Sequence, residues 1–408
     1  MKQFSIPVKY RSPLISAIKS KRKEADKMKK DFSATTLDFG TFEVKLARHF
    51  GFCYGVENAI EIAFQTIDQY PDKRIFLLSE MIHNPFVNED LIKRGLQFMM
   101  DTKGNTIIPF ENLTKDDIVI IPAFGTTIEI ENKLKEIGIQ IERYNTTCPF
   151  VEKVWNRAEQ IAKKGYSIVV HGKPTHEETR ATFSHSNVHA PTIVINDMEE
   201  AIKLGDCLLG KFSTEEFYSF FGNRISEGFD FERDLQRFGV VNQTTMLASD
   251  TQAIADYLKG IVVQKYALSV DEIDRHFADT RDTLCYATND NQTAVTNLLN
   301  ESADIAIVIG GRKSSNSSHL VELCEEKLPT YFIQSEEDII SSNEIRCFNW
   351  RNHEEYLVNH YLPNKEKPVI AITSGASCPD AIVEHVINKI SSYFPNSKSI
   401  EEIQSDWN

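Results

Sequence analysis

Three cysteines of this chain each stand where a strand-like segment gives way to a helix-like one: Cys53, Cys148 and Cys285. Near the start of a helix, unpaired N–H groups and the helix dipole stabilise a thiolate, which is the form of cysteine that binds metal. A buried structural cysteine is the simpler explanation for any one of them, because free cysteine is often found in protein cores. The shared position of all three favours a common role as ligands.

The pattern of cysteines restricts what such a site could hold. The chain has seven cysteines and no recognisable secretion signal, which predicts reduced thiols rather than a disulfide framework. Three thiolates could bind a zinc ion, or an iron–sulfur cluster that leaves one iron open to substrate. The Cys-x-x-Cys spacing of electron-carrier ferredoxins is absent from the sequence. We interpret the remaining cysteines as structural thiols, namely Cys207, Cys324, Cys347 and Cys378.

Polar segments of small residues follow other strand-like runs, at positions 242–245, 310–318 and 373–380. Hydroxyl and amide side chains at a helix N-terminus can bind an anion, although simple helix capping explains each segment as well. His83 and His176 also follow strand-like runs. An imidazole N–H can bind a phosphate and a neighbouring carboxyl can relay a proton, whereas each histidine taken singly fits an ordinary polar loop.

Strand-like and helix-like segments alternate along the whole chain, and this pattern predicts an α/β fold. The strand-like runs are 74–78, 118–121, 167–170, 192–195, 305–309 and 369–372. Continuous β-branched runs between helices are typical of parallel sheets covered on both faces. Ligands of such sheets bind beyond the carboxyl ends of the strands. The three cysteine junctions therefore suggest three related α/β units that meet at a centre, with an anion cradle beside a cluster.

Length and charge exclude several classes of protein. A chain of 408 residues with 41% hydrophobic and 25% charged residues is typical of a globular protein with two or three domains. A net charge of −14 argues against a general nucleic-acid binder. No apolar run approaches the roughly 20 residues that span a bilayer. We therefore expect a cytoplasmic protein without nucleic-acid or membrane partners.

The domain boundaries are predicted from these elements. We expect an N-terminal extension at 1–41, α/β domains at 42–147, 148–281 and 282–390, and a C-terminal tail at 391–408. The second domain carries an insertion at about 207–237, whose aromatic residues suggest an ordered surface feature. A basic tract at 19–23 lacks the apolar core of a targeting signal, so we interpret it as part of a solvated helix.

Eight short motifs, taken in order, resemble the signature motifs of the LytB/IspH family of 4-hydroxy-3-methylbut-2-enyl diphosphate reductases. They lie at 51–56, 82–84, 147–149, 176–179, 242–245, 285–288, 314–317 and 375–377, within a match that runs from about 42 to 390. The resemblance implies an oxidoreductase of the methylerythritol phosphate route. This enzyme would reductively dehydrate (E)-4-hydroxy-3-methylbut-2-enyl diphosphate to isopentenyl diphosphate and dimethylallyl diphosphate. It also implies three pseudo-threefold-related α/β domains with parallel sheets around a central iron–sulfur cluster.

The same resemblance implies a role for each motif. Cys53, Cys148 and Cys285 would hold a 4Fe-4S cluster with one iron open to the substrate hydroxyl. Glu178 would supply the proton that lets this hydroxyl leave as water, and Thr244 would position the hydroxyl and its proton path. The electron donor would be a small protein, a ferredoxin or a flavodoxin. The residues implied in substrate binding are His83, His176, Thr244, Ser314, Ser315, Asn316 and Ser377, and all of them except Thr244 would bind the diphosphate.

One motif departs from many bacterial members of the family, which carry Ala-His-Gly where this chain has Phe124 between Ala123 and Gly125. Phe124 cannot donate to a phosphate, and together with the insertion and the longer N-terminus it resembles the plant and cyanobacterial branch. Two alternative functions stay open from the residues themselves. One is a hydro-lyase that uses the open iron only as a Lewis acid, and the other is a zinc-stabilised phosphate-binding module without catalysis.

Overall fold

The computed structural model describes residues 4–28, 30–278, 283 and 285–407. Helices connect most of the strands. They are α1 (Pro13–Ala25), α2 (Tyr54–Gln69), α3 (Pro85–Lys93), α4 (Ile128–Ile137), α5 (Pro149–Ala162), α6 (Glu177–Asn187), α7 (Met198–Leu208), α8 (Thr214–Phe221), α9 (Phe231–Asp234), α10 (Ala248–Tyr266), α11 (Tyr286–Leu298), α12 (Ser315–Glu325), α13 (Asp380–Ser391) and α14 (Ile400–Ser405).

The strands confirm the α/β prediction, since each strand-like run of the sequence overlaps one of them. They are β1 (Thr35–Asp38), β2 (Glu43–Leu46), β3 (Ile75–Leu77), β4 (Gln97–Phe98), β5 (Ile118–Ile120), β6 (Ser167–His171), β7 (Thr192–Ile195), β8 (Phe238–Asn242), β9 (Phe277–Ala278), β10 (Ile305–Ile309), β11 (Thr330–Ile333), β12 (Glu344–Asn349), β13 (Glu354–Asn359) and β14 (Val369–Ser374). β6, β8 and β10 are buried along their whole length, as expected for sheets covered on both faces.

The chain divides into two compact units, and the first consists of residues 1–61, 82–89 and 286–408. Its main sheet has five strands in the order β1-β2-β14-β10-β11. β1 and β2 are antiparallel, whereas β2, β14, β10 and β11 run parallel to one another. β12 and β13 form a separate antiparallel pair. The strand that leads into the Cys53 segment therefore lies beside a strand from residues 369–374.

Helix α1 packs into the core of this first unit. Ser12 caps the helix by accepting a hydrogen bond from the N–H of Ile15 at 2.9 Å, and Pro13 occupies the first helical position. Leu14, Ile15 and Ile18 are fully buried in the same hydrophobic cluster as β2 and β14 residues. Burial of each such side chain contributes roughly 1.5–3 kcal/mol. The helix predicted around the basic tract is thus present, but only its basic face is solvated.

The second unit consists of residues 62–81 and 90–285 and contains two parallel sheets. The smaller sheet has the order β4-β3-β5, and the larger has the order β7-β6-β8-β9. The predicted insertion forms the short helices α8 and α9. Phe217 and Phe221 of α8 are buried together with Phe231 of α9, so the insertion is an ordered part of this unit.

Three separate sheets whose strands are mainly parallel are consistent with a chain built from repeated α/β modules. The boundaries at 42–147, 148–281 and 282–390 and the flanking segments 1–41 and 391–408 stay a prediction. Within the described part of the chain, no helix is both long and apolar enough to cross a membrane.

Candidate functional site

Cys53 lies in the loop between β2 and α2. This loop turns sharply at Gly51, whose φ of +78° is a left-handed conformation that favours glycine. The Cys53 side chain is partly exposed, and α2 begins at the next residue. The Cys53 N–H donates to the carbonyl oxygen of Ala376 at 3.1 Å. This bond ties the cysteine loop to the polar loop that follows β14.

The polar segment after β10 forms the N-terminus of α12. Ser314 caps the helix by accepting a hydrogen bond from the Ser317 N–H at 3.2 Å. The Ser317 hydroxyl donates to the Ser314 hydroxyl at 3.0 Å, and Ser317 is fully buried. A Cβ added at Gly310 or at Gly375 would collide with this Ser317 hydroxyl. The two glycines therefore let the ends of β10 and β14 close around the start of α12.

Ser315 and Asn316 follow the cap in the first turn of α12 and are only 4% and 3% exposed. The Asn316 Oδ1 atom accepts a hydrogen bond from the Ala376 N–H at 2.8 Å. Among the residues that the structure describes, the Ser315 hydroxyl and the Asn316 Nδ2 atom have no hydrogen-bond partner. Buried donors are nearly always paired in folded proteins, so this pair of donors indicates a polar ligand at the helix N-terminus.

His83 lies against the same loops. A Cβ at Gly311 would collide with the carbonyl oxygen of His83, so the chain after β10 passes His83 at a distance that only glycine allows. The Ser377 hydroxyl donates to the same carbonyl oxygen at 3.4 Å. The first unit therefore brings together the predicted residues Cys53, His83, Ser314, Ser315, Asn316 and Ser377.

Glu178 and Thr244 meet in the second unit, at the carboxyl ends of β6 and β8. Glu178 is 1% exposed and lies in the first turn of α6. One carboxylate oxygen, Oε1, accepts a hydrogen bond from the Thr244 N–H at 2.5 Å. The other, Oε2, accepts a hydrogen bond from the Thr244 hydroxyl at 3.0 Å. The carboxyl group is thereby held against a hydroxyl that can exchange protons with it.

His176 caps α6 directly beside this pair. Its Nδ1 atom accepts a hydrogen bond from the Glu178 N–H at 3.2 Å, so the proton of the neutral imidazole lies on Nε2. The Phe124 ring lies edge-on to the imidazole, with the ring centroids 5.6 Å apart and the planes at 85°. Phe124 thus contributes an apolar contact that fixes the orientation of His176, where a histidine would contribute a further donor.

The other two predicted ligands also belong to the second unit. Cys148 precedes Pro149 at the start of α5, and its N–H donates to the carbonyl oxygen of Ala123 at 2.9 Å. Cys285 is buried. Two residues earlier, the Thr283 hydroxyl donates to the Asn242 Oδ1 atom at 2.5 Å. Cys148 is therefore linked to the Phe124 loop, and the segment before Cys285 is linked to the end of β8.

The seven cysteines separate into two groups. All are unbridged, and burial raises the pKa of four thiols above the ordinary value: Cys207 to about 11, and Cys324, Cys347 and Cys378 to about 12. Burial thus opposes thiolate formation at these four, as expected for structural cysteines. Cys53, Cys148 and Cys285 instead lie at helix starts, where a thiolate is stabilised.

The donor set fits an iron–sulfur cluster in its chemistry, since three unbridged thiols supply the ligands that such a cluster uses. Across the described ranges, no three His, Cys, Asp or Glu side chains are grouped so that they could hold a single metal ion. A 4Fe-4S cluster would offer several irons to the three thiolates rather than one shared ion, so this finding concerns sites for a single metal ion. Cys53 belongs to the first unit, and Cys148 and Cys285 belong to the second.

Two residues with a positioning role were not singled out from the sequence. Ser317 is one, and the glycines at the ends of the two strands are the signal that points to it. Gln243 is the other: its Oε1 atom accepts hydrogen bonds from the Thr179 hydroxyl at 2.9 Å and from the Lys173 N–H at 3.1 Å. It joins the end of β8 to α6 and so supports the neighbouring Glu178–Thr244 pair.

Comparison with known proteins places this chain in a family. The family model described as LytB protein matches residues 44–391. A 4-hydroxy-3-methylbut-2-enyl diphosphate reductase from Prochlorococcus marinus is 39% identical over 355 residues, which cover 87% of this chain and 85% of the relative. The enzyme of the same name from a Synechococcus strain is 37% identical over 387 residues, which cover 95% of this chain and 91% of the relative.

Solved structures share the fold. One is a structure of (E)-4-hydroxy-3-methyl-but-2-enyl diphosphate reductase, described as the terminal enzyme of the non-mevalonate pathway. It is 24% identical with a TM-score of 0.51, and the match covers 85% of this chain and 98% of the solved one. A structure of E-1-hydroxy-2-methyl-but-2-enyl-4-diphosphate reductase from Plasmodium falciparum is 21% identical, with a TM-score of 0.61. The match covers 89% of this chain and 97% of the solved one. The extent of the family match and the identity to the cyanobacterial relatives show that this chain belongs to the LytB family.

Proposed function

We propose that this protein is an iron–sulfur oxidoreductase that converts (E)-4-hydroxy-3-methylbut-2-enyl diphosphate to isopentenyl diphosphate and dimethylallyl diphosphate. The reaction takes up two electrons and two protons and releases the allylic hydroxyl as water. The observation that carries the proposal is that the first unit brings Cys53 close to the start of α12. There, the Ser315 hydroxyl and the Asn316 Nδ2 atom are buried donors without a hydrogen-bond partner among the described residues.

The diphosphate binds at the N-terminus of α12 in this proposal. Ser315 and Asn316 offer a hydroxyl and an amide donor there, and the backbone N–H groups and the dipole of the helix add to the attraction for an anion. Ser314, Ser377 and the imidazole of His83 complete the cradle. The hydroxyl and amide donors carry no charge. Since substrate and products share the diphosphate, moderate binding by neutral donors favours product release.

Proton delivery is assigned to the Glu178–Thr244 pair. When Glu178 carries a proton on Oε2, it can donate to the Thr244 hydroxyl, which is 3.0 Å away, and that hydroxyl can donate onward to the leaving hydroxyl of the substrate. The Thr244 N–H holds the other carboxylate oxygen, so the proton-bearing oxygen stays directed at the hydroxyl. The imidazole of His176, with its proton on Nε2, provides a further donor to the diphosphate.

Cys53, Cys148 and Cys285 are the residues that would hold the 4Fe-4S cluster in this proposal. When bound, such a cluster supplies single electrons and a Lewis-acidic iron that weakens the carbon–oxygen bond. Three α/β domains, one for each cysteine, would then surround it. Since electrons arrive one at a time, we propose a small electron-transfer protein, a ferredoxin or a flavodoxin, as the donor. A cytoplasmic location stays a prediction.

An anaerobic assay tests the proposal. Purified protein is incubated with the substrate in the presence or absence of dithionite and methyl viologen, and the diphosphate products are separated by chromatography. We expect formation of both products only with reductant, and several irons and sulfides per chain. Turnover without reductant would instead favour a hydro-lyase. Protein with about one zinc and no iron or sulfide would favour a zinc-stabilised phosphate-binding module and contradict the proposal.

A further inference from the structure

We infer that Lys19 of the N-terminal helix α1, through its ion pair with Asp380, is a positioning residue for the Cys53 loop. The inference builds on the proposed role of Cys53 as a cluster ligand. Lys19 lies outside the eight family motifs, in the N-terminal extension, for which the sequence predicted no function.

The ion pair lies against the turn that precedes Cys53. The Lys19 Nζ atom is 2.7 Å from Asp380 Oδ1 and 2.9 Å from Oδ2, so the ammonium group contacts both oxygens. A Cβ at Gly51 would collide with Asp380 Oδ1 and would lie 3.0 Å from Lys19 Nζ. The bare backbone of Gly51 therefore rests on the ion pair, and this leaves the turn little room to move toward α13.

The N-terminal segment contacts the residues on both sides of Gly51 as well. Lys19 Nζ lies 4.6 Å from the centre of the Phe50 ring, a distance typical of a cation–π contact. The rings of Tyr10 and Phe52 meet edge to face at 5.9 Å, and those of Phe4 and Tyr54 at 5.0 Å. The loop is thus held at positions 50, 51, 52 and 54, while the Cys53 N–H is held by Ala376.

The charge of Lys19 adds an electrostatic reason for its presence. Asp380 occupies the first position of α13, where the helix dipole favours a carboxylate. Without the ammonium group, this carboxylate would lie unneutralised against Gly51, two residues from a cysteine that must act as an anion. The side chains are 33% and 20% exposed, so the pair adds little to global stability, and its main effect falls on the local loop.

Four variants test the inference: Lys19→Met, Lys19→Arg, Asp380→Asn and the control Lys23→Met, which changes an exposed lysine of the same helix. Each holoprotein is reconstituted anaerobically, and iron loss to a chelator is followed by absorbance. We expect Lys19→Met to lose iron about two- to fivefold faster than wild type, as the strength of a partly exposed ion pair implies. Lys19→Arg and Lys23→Met should lose iron at the wild-type rate.

A second readout does not depend on the cluster. In metal-free protein, the rate at which iodoacetamide alkylates Cys53 is measured by peptide mass spectrometry, with Cys148 as the internal reference. We expect Lys19→Met and Asp380→Asn to change the Cys53 rate by about the same two- to fivefold factor while the Cys148 rate stays constant.

The outcomes separate the two proposals. A wild-type protein that binds no iron, but whose Cys53 alkylation changes in Lys19→Met, would overturn the proposed function and leave the positioning role supported. Wild-type rates of iron loss and of Cys53 alkylation in Lys19→Met would overturn the positioning role. A lowered Tm with both of these rates unchanged would also overturn it, because it would show that Lys19 serves only global stability.

Discussion

Replacement of Glu178 by glutamine removes the proposed proton donor while it can preserve both hydrogen bonds to Thr244. The amide oxygen of the introduced glutamine can accept from the Thr244 N–H, as the Glu178 Oε1 atom does at 2.5 Å. The amide NH₂ can donate to the Thr244 hydroxyl, which lies 3.0 Å from Oε2 in the wild type. Each polar atom of the buried pair therefore keeps a partner, but no acidic proton is present.

The expected effects on stability and on rate are consequently very different. Loss of a charge-assisted hydrogen bond, with a neutral one in its place, costs about 1 kcal/mol of unfolding free energy. Loss of a positioned general acid lowers kcat about 10²- to 10⁴-fold. Thr244→Val retains the branched shape but removes the hydroxyl that donates to Glu178 Oε2, and the loss of such a hydrogen bond to a charged group costs about 1–3 kcal/mol. Thr244→Ser keeps the hydroxyl and serves as the matched control.

The measurement is viologen-driven turnover under anaerobic conditions, with iron content and thermal unfolding recorded for each variant. We expect Glu178→Gln to retain wild-type iron and nearly wild-type Tm with very low turnover, Thr244→Val to lose turnover as well, and Thr244→Ser to retain most of it. If Glu178→Gln kept turnover within about threefold of wild type, far less than the loss of a general acid, Glu178 would not be the proton source. If it lost its iron, the role of Glu178 would be structural.

Three further predictions follow from the geometry. Gly311→Ala places a methyl group against the His83 carbonyl oxygen and should lower the unfolding free energy by about 1–3 kcal/mol, measured by urea denaturation. Cys148→Ser should lose iron and activity, whereas Cys378→Ser should retain both, as iron analysis would show. Burial lowers the pKa of His185 to about 4, so the unfolded state binds more protons between that pH and about 6.5. The Tm should therefore fall as the pH drops from 7 to 5, and His185→Phe should reduce that fall.

Much of the fold could be predicted because periodicity is a local property of the chain. The change from strand-like to helix-like sequence at Cys53 and at Cys148 predicted the starts of α2 and α5. Buried β-branched runs predicted strands such as β10. The polar segments after strands predicted helix N-termini with capping serines, and Ser314 caps α12 as expected. These features depend on a few neighbouring residues, so the sequence alone contains them.

Tertiary partners could not be predicted in the same way. Nothing in the sequence around β2 indicates that it pairs with β14 more than 300 residues later. The contact of Ser317 with Gly310 and Gly375 depends on the approach of two separate strands. The helix around the basic tract was expected to be solvated because this tract lacks the apolar core of a targeting signal, yet Leu14, Ile15 and Ile18 bury one face of α1. Each of these contacts depends on packing between residues that are far apart in the sequence.

The pairing of β2 with β14 has a consequence for biosynthesis. During translation, β2 leaves the ribosome before β14, and among the described strands it can pair with the antiparallel β1 but not with β14 until residues 369–374 have been made. The sheet that supports the Cys53 loop is thus completed only after β14 has been made, and β2 exposes an unpaired edge until then. A nascent chain that stops before residue 369 lacks the loop at 376 to which Cys53 is tied, so the proposed cluster would be assembled only after this loop has been made.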